Sequence, residues 1–85
     1  MNKVVMYCTD TCPYCQRAEA LLGKKGVTPE KIRVDGNADI WAEMQHKTGR
    51  DTVPQIFIGT RHVGGFDDLV ELDMDGELDP LLSRD

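Results

Sequence analysis

By residue type, three side chains in this 85-residue sequence could carry redox or metal chemistry: Cys8, Cys12 and Cys15, all near its start. Cys12-Pro13-Tyr14-Cys15 leaves two residues between thiols, short enough for a reversible disulfide. Position matters more than spacing. The apolar run Val4-Val5-Met6-Tyr7-Cys8 is broken by Thr9-Asp10-Thr11, and Pro13 then suits the first turn of a helix, where its missing N–H costs nothing. Cys12 is thereby placed at a helix N-terminus, facing unpaired backbone N–H groups and the positive end of the helix dipole, and both favour thiolate over thiol. Arg17, about one turn further on, adds to that field. Cys15 falls inside the first turn and is more buried. The pattern assigns attack to Cys12 and resolution to Cys15.

The same cysteines admit metal readings, and the sequence weakens each. A closed zinc site wants four ligands. No second Cys-x2-Cys accompanies the pair, and His46 and His62 are too far apart in sequence to form one short ligand set. The spacing Cys8-x3-Cys12-x2-Cys15 resembles the iron–sulfur ligand motif of radical SAM enzymes, but such enzymes need a barrel of far more residues. Cys8 completes an apolar strand, where a free cysteine behaves as a small hydrophobe. No metal site is expected.

The elements that position the thiols follow from periodicity. Val4 to Cys8 reads as a buried central strand. Ala18, Leu21 and Leu22 give the stripe of the first helix, stopped by Lys24-Lys25-Gly26. Ile32 and Val34 alternate with Lys31 and Arg33, a strand suited to a sheet edge. After the turn Asp35-Gly36-Asn37, the residues Ile40, Trp41 and Met44 mark a helix from about Asp39 to Gly49. Gln55 to Ile58 is a strand with Pro54 at its first position. Gly59-Thr60 then turns into Arg61-His62-Val63 as a hairpin partner. A helix from Asp67-Asp68 carries Leu69, Val70 and Leu72 and stops at Gly76. Leu78, Leu81 and Leu82 form a last helical turn. The order β-α-β-α-β-β-α gives an α/β fold: a four-stranded mixed sheet with flanking helices, in one domain over 1–85.

Composition narrows the function classes. With 40% hydrophobic and 29% charged residues, the chain is an ordinary globular one. No apolar run approaches the ~18–20 residues of a membrane span. The segment behind Met1-Asn2-Lys3 is too short for a signal-peptide core, so a cytoplasmic location is expected. The odd cysteine count argues against a secreted disulfide framework. The net charge of −5 is split unevenly: residues 1–66 carry nine basic and seven acidic side chains, and residues 67–85 carry eight acids and only Arg84. That leaves no basic stripe for nucleic acid, and the acidic segment reads as a solvated surface.

Taken together, Cys12-Pro13-Tyr14-Cys15, Thr52-Val53-Pro54 and Gly64-Gly65-Phe66-Asp67-Asp68 resemble the dithiol glutaredoxins, from about Val4 to Leu82. The resemblance implies a thioredoxin-like fold and glutathione-dependent thiol–disulfide exchange, at a class potential of roughly −200 to −230 mV. It implies that Pro54 is a cis proline beside the disulfide, turning the Val53 N–H and C=O toward the cysteinyl part of glutathione. Thr52, Val53 and Pro54 join the glutathione site on this basis. Gly65, Phe66 and Asp67 lead into a helix N-terminus that holds the γ-glutamyl carboxylate. Asp68 or Asp67 accepts from the α-ammonium, and Tyr14 flanks the tripeptide. By residue type alone, Thr52-Val53-Pro54 reads more readily as a plain strand start and Asp67-Asp68 as ordinary helix capping; in company with Cys12-Pro13-Tyr14-Cys15, the glutathione-site reading wins. Glutathione is the reducing co-substrate, with no tightly bound cofactor. The partners are glutathionylated or disulfide-containing proteins, with ribonucleotide reductase entering by family alone. The chain is expected to act as a monomer, without nucleic acid or membrane.

One position departs from the pattern. Thr9 stands where related sequences carry a lysine that helps hold the glycyl carboxylate, and Arg50 and Lys47 are the candidates to replace it. Two rival functions stay open at this level. Thr9 favours a redoxin served by thioredoxin reductase, which the Gly64–Asp68 motif opposes. A glutathione-ligated iron–sulfur carrier is the other, though such carriers usually have CGFS and Pro13 stiffens the loop.

Overall fold

The computed structural model describes residues 3–83. Met1, Asn2, Arg84 and Asp85, which enter the readings of the opening segment, the acidic end and the 1–85 domain, lie outside the described residues. The first strand, β1 (Val4–Cys8), is apolar throughout because both its faces are covered. Val4, Met6 and Cys8 point into one core and Tyr7 into the other. β1 pairs in parallel with β2 (Glu30–Arg33) and antiparallel with β3 (Gln55–Ile58), with Tyr7 opposite Gln55. β4 (Arg61–Gly64) returns from β3 across Gly59-Thr60. The sheet order is β2-β1-β3-β4, so β1 is central and the charged strand β2 is an edge. Ile56 faces Gly64 while Phe57 faces His62, which leaves Val63 as the extra residue of a bulge in β4.

Helices cover both faces. α1 (Pro13–Lys24), α3 (Phe66–Met74) and α4 (Leu78–Ser83) bury Ala18, Leu22, Leu69, Leu78 and Leu82 against Met6, Ile56 and Ile58. On the other face α2 (Ala38–Thr48) lays Met44 on Tyr7 and Val34, with Ile40, Trp41 and Phe57 half-buried around them. α4 is the helical turn that Leu78, Leu81 and Leu82 announce, all three buried.

The boundaries shift for local reasons. α2 starts before Asp39 because Asn37 caps it, its Oδ1 accepting the Ile40 N–H at 3.2 Å. Phe66 rather than Asp67 opens α3, and Pro54 precedes β3 instead of opening it. The acidic segment is partly paired internally: Lys25 at the end of α1 reaches Asp73 at 2.7 Å and Asp79 at 2.9 Å, tying α1 to α3 and α4. Among the described residues, no helix is long and apolar enough to cross a membrane.

Leu22 is fully buried at the centre of the larger core. Leu22→Ala is expected to lower unfolding free energy by about 2–5 kcal/mol in chemical denaturation. Met74→Ala, at a side chain 82% exposed, should stay within about 0.5 kcal/mol of the parent.

Candidate active site

α1 begins shortly after β1 ends, and Cys12 is its N-cap, with extended backbone angles of −87° and 111°. Its sulfur accepts the Cys15 backbone N–H at 3.2 Å. A side-chain oxygen usually fills that place. Here one of the orphan N–H donors of the helix is aimed at the Cys12 sulfur. Pro13 occupies the first helical position, and the first turn carries no acidic side chain to oppose negative charge on the sulfur. On its other side the Cys12 thiol points at the Val53 carbonyl, 3.9 Å away.

Cys8, Cys12 and Cys15 are all free thiols, and only Cys12 is not buried. Burial, followed by the hydrogen bond to Cys12, pushes the Cys15 thiol up to about 12. Burial also raises Cys8, against the pull of Lys31 and Arg33. Both are therefore protonated at neutral pH, and Cys12 is the one of the three sulfurs that is not buried.

Beside Val53 lies an open cleft of about 230 Å³. The structure brings all eight non-cysteine candidates to it: Tyr14, Thr52, Val53, Pro54, Gly65, Phe66, Asp67 and Asp68. The Val53–Pro54 peptide is cis. Tyr14 and Phe66 form an aromatic wall, their ring centroids 6.2 Å apart. The Arg17 guanidinium lies over the Tyr14 ring, 5.3 Å from its centroid. At the far end Gly65 is the N-cap of α3, and Asp68 reaches back to accept the Gly65 N–H at 2.9 Å.

Arg50 is the ninth lining residue, and it settles which cation stands in the cleft. Its guanidinium donates to the same Asp68 oxygen at 2.9 Å. Gly49, left-handed at φ 70°, ends α2, and the Thr48 hydroxyl accepts the Arg50 N–H, so the chain turns toward α3. Lys47, still helical, instead reaches the Tyr7 hydroxyl at 3.3 Å and does not line the cleft. Thr9 lines a separate groove with Cys8, Asp10 and Arg33. The Gly65 N–H and then Arg50 hold the Asp68 carboxyl below the usual carboxylate range. A depressed carboxylate keeps its partners above its ordinary value and loses them only in stronger acid, so this lock is closed at neutral pH.

Gly64 enters the sequence reading only as the first residue of the Gly64–Asp68 motif, with no role of its own. Its φ is +118°, and a Cβ on it would run into the Asp68 carboxylate and crowd Arg50. At Gly65 a Cβ would meet the Pro54 carbonyl at an ordinary 3.5 Å. Among the described residues no three His, Cys, Asp or Glu side chains converge as a metal-ligand set.

A mixed sheet of this order, with a Cys-x2-Cys pair at the N-cap of its first helix, defines a thioredoxin-like thiol oxidoreductase. The glutaredoxin family profile matches residues 4–63. The chain is 55% identical over 82 residues to Glutaredoxin 3 of Escherichia coli, spanning 96% of this chain and 99% of that protein. The crystal structure of a buckwheat glutaredoxin–glutathione complex superposes with a TM-score of 0.88 at 36% identity, over 96% of this chain and 77% of that one. The solution structure of a Brucella melitensis glutaredoxin gives 0.85 at 50% identity, over 96% and 89%. The chain belongs to the glutaredoxin family. It is a glutathione-dependent thiol–disulfide oxidoreductase with a cysteine pair, and neither the redoxin nor the cluster-carrier reading is needed to account for it. Glutaredoxins work with glutathione as co-substrate and with glutathionylated or disulfide-bonded proteins.

Two outcomes follow from this geometry. Iodoacetamide at about pH 8 should label Cys12 alone, with Cys8 and Cys15 unmodified by mass spectrometry; early labelling of Cys15 would contradict its burial. Gly64→Ala should cut kcat/KM on a glutathionylated peptide by about tenfold or more, through displacement of Asp68 and Arg50. Gly65→Ala, with room for its methyl group, should stay within about threefold.

Proposed function

We propose that Cys12 is the attacking thiolate and Cys15 the resolving thiol, and that the cleft beside Val53 seats glutathione. The observation that carries this reading is the Cys12 sulfur itself. It caps α1, accepts the Cys15 N–H and stands at the lip of the cleft formed by the remaining candidates. With a glutathionylated protein, Cys12 attacks the glutathionyl sulfur. The bond from Cys12 to glutathione forms, the bond to the protein breaks, and the protein leaves as thiolate and takes up a proton. A second glutathione thiolate then attacks the bound glutathionyl sulfur. Glutathione disulfide leaves, and Cys12 is thiolate again. With a protein disulfide, Cys12 forms the mixed disulfide and Cys15 attacks the Cys12 sulfur. The protein thiol leaves, and two glutathiones reduce the Cys12–Cys15 bond.

In the proposed pose the cysteinyl backbone of the tripeptide pairs with Val53 like an added strand. Its γ-glutamyl carboxylate meets the N–H groups at the N-terminus of α3, around Phe66 and Asp67. Asp68 takes the α-ammonium, with Asp67 as the second acceptor. Tyr14 covers the sulfur end, and Thr52 and Pro54 frame Val53. Arg50 is the cation the cleft offers to a carboxylate, in place of the lysine that Thr9 replaces. No tightly bound cofactor takes part. Residues 1–85 act as one domain and as a monomer in the cytoplasm, where glutathione keeps such a pair reduced. Ribonucleotide reductase is a candidate substrate on family grounds alone.

The test is glutathione-driven reduction of a glutathionylated peptide. Cys12→Ser should fall to the uncatalysed rate. Cys15→Ser should stay within about tenfold of wild type on that substrate and lose its activity on protein disulfides. Activity that survives in Cys12→Ser and vanishes in Cys15→Ser would reverse the assignment.

A further inference from the structure

Gln55 is the one polar side chain fully buried among the described residues. It sits in β3 next to Pro54, in a core that is otherwise apolar. A buried amide is unfavourable unless every polar atom is paired, and this one is. Its Nε2 donates to the Thr52 carbonyl at 3.0 Å and to the Thr52 hydroxyl at 3.3 Å. Its Oε1 is 2.8 Å from Nε2 of His62. The Thr52 carbonyl can only accept, which fixes the Gln55 amide with its nitrogen toward Thr52. The oxygen then faces His62, so the His62 proton must lie on Nε2. Burial, and then the Arg50 charge, hold the imidazole below its ordinary value against the opposing pull of Asp68, and it is neutral at neutral pH. Phe57 stacks on the ring at 5.0 Å and keeps it in place.

The consequence lies in the peptide plane. The Thr52 carbonyl and the Val53 N–H belong to one trans peptide, since the cis bond is the next one along. In a trans peptide the C=O and N–H point in opposite directions. Drawing the Thr52 oxygen toward buried Gln55 therefore turns the Val53 N–H outward, to the cleft.

We propose that Gln55, backed by His62, is the positioning residue that aims the Val53 N–H at the cysteinyl part of glutathione. This rests on the reading of the cleft given above. Gln55 touches no substrate; it sets the direction of the donor that does. The selectivity of the enzyme for a glutathionyl group over another small thiol cap then depends on this buried amide.

The experiment compares kcat/KM on one peptide capped either by glutathione or by 2-mercaptoethanol, which has no backbone for Val53 to bind. A general loss of fold or of Cys12 reactivity lowers both values together; misdirection of the Val53 N–H lowers their ratio. Gln55→Met keeps the length of the side chain and removes its polar atoms. It should reduce the ratio by about tenfold, the worth of one well-placed hydrogen bond. His62→Phe keeps the stack on Phe57 and should reduce it by about threefold. The double variant should match Gln55→Met alone, because the two act in series. A second measurement needs no variant: the long-range ¹H–¹⁵N spectrum of the unsubstituted protein should show His62 as the neutral Nε2–H tautomer. A clear glutathionyl preference in wild type with ratios unchanged in folded variants would overturn the positioning role alone. An Nδ1–H tautomer would also overturn it. Absence of any preference in wild type would overturn the reading of the cleft as well.

Discussion

The fold and the chemistry meet in a single hydrogen bond, from the Cys15 backbone N–H to the Cys12 sulfur. A helix must find acceptors for its first N–H groups, and a side-chain cap is typically worth about 1 kcal/mol. In α1 the acceptor is the Cys12 sulfur, the proposed nucleophile. Ordering the helix and ordering that sulfur are thus one event, and whatever frays the first turn of α1 also withdraws a donor from it. Cys15 serves at both ends of its own backbone: its N–H faces Cys12, and its thiol lies buried among Met6, Cys8 and Ala18. Burial, and then the hydrogen bond to Cys12, hold the Cys15 thiol high.

A second helix N-terminus faces the same cleft. α3 begins at Gly65, which has no side chain to cap with, so Asp68 does the capping from inside the helix. That places a carboxylate where a helix would otherwise attract an anion, and Arg50 offsets it. The ion pair is half-exposed, and its strength counts for less than its geometry. It joins the end of α2 to the start of α3 across the cleft, and it sets one carboxylate and one guanidinium side by side there, as the proposed tripeptide pose requires. Gly64 permits this approach because any side chain there would occupy the space of the Asp68 carboxylate.

Local features were the legible ones. The five apolar residues of β1 required cover on both faces, Pro13 required the first helical position, and the two together placed Cys12 at a cap without reference to any relative. Gly49 marked the end of α2 by its type alone. Other positions were ambiguous for a physical reason: Thr52-Val53-Pro54 has the composition of any strand start, and Asp67-Asp68 that of any acidic first turn, so their gathering around one cleft rested on the resemblance. Arg50 and Lys47 could not be told apart because they lie three residues apart on either side of Gly49, and composition does not say where each side chain goes. The left-handed turn at Gly49 separates them, sending one to Asp68 and the other to Tyr7. Asn37 and Asp39 compete for the same cap, and backbone angles that composition does not record decide between them. Gly64 was legible as part of a motif but its role was not, since a glycine that ends a strand and one that admits a carboxylate look alike in a sequence.

The cleft presents few long side chains to a tripeptide. In the proposed pose most of its contacts are peptide groups, at Val53 and at the start of α3, and a peptide group has no rotamer by which to adjust. Its direction is inherited from whatever holds the chain on either side. Discrimination by such a surface would then reside largely one layer back, in Gly64 by what it lacks and in Gln55 by drawing in a carbonyl, while Asp68 both caps α3 and lines the cleft. Gln55 tolerates little change, because a buried polar group that loses one partner leaves the other unpaired. The side chains in view, Tyr14 and Phe66, form a wall of the cleft that could be rebuilt in several ways. In a site of this kind the side chains in view set the shape, and the buried polar ones set the direction of recognition.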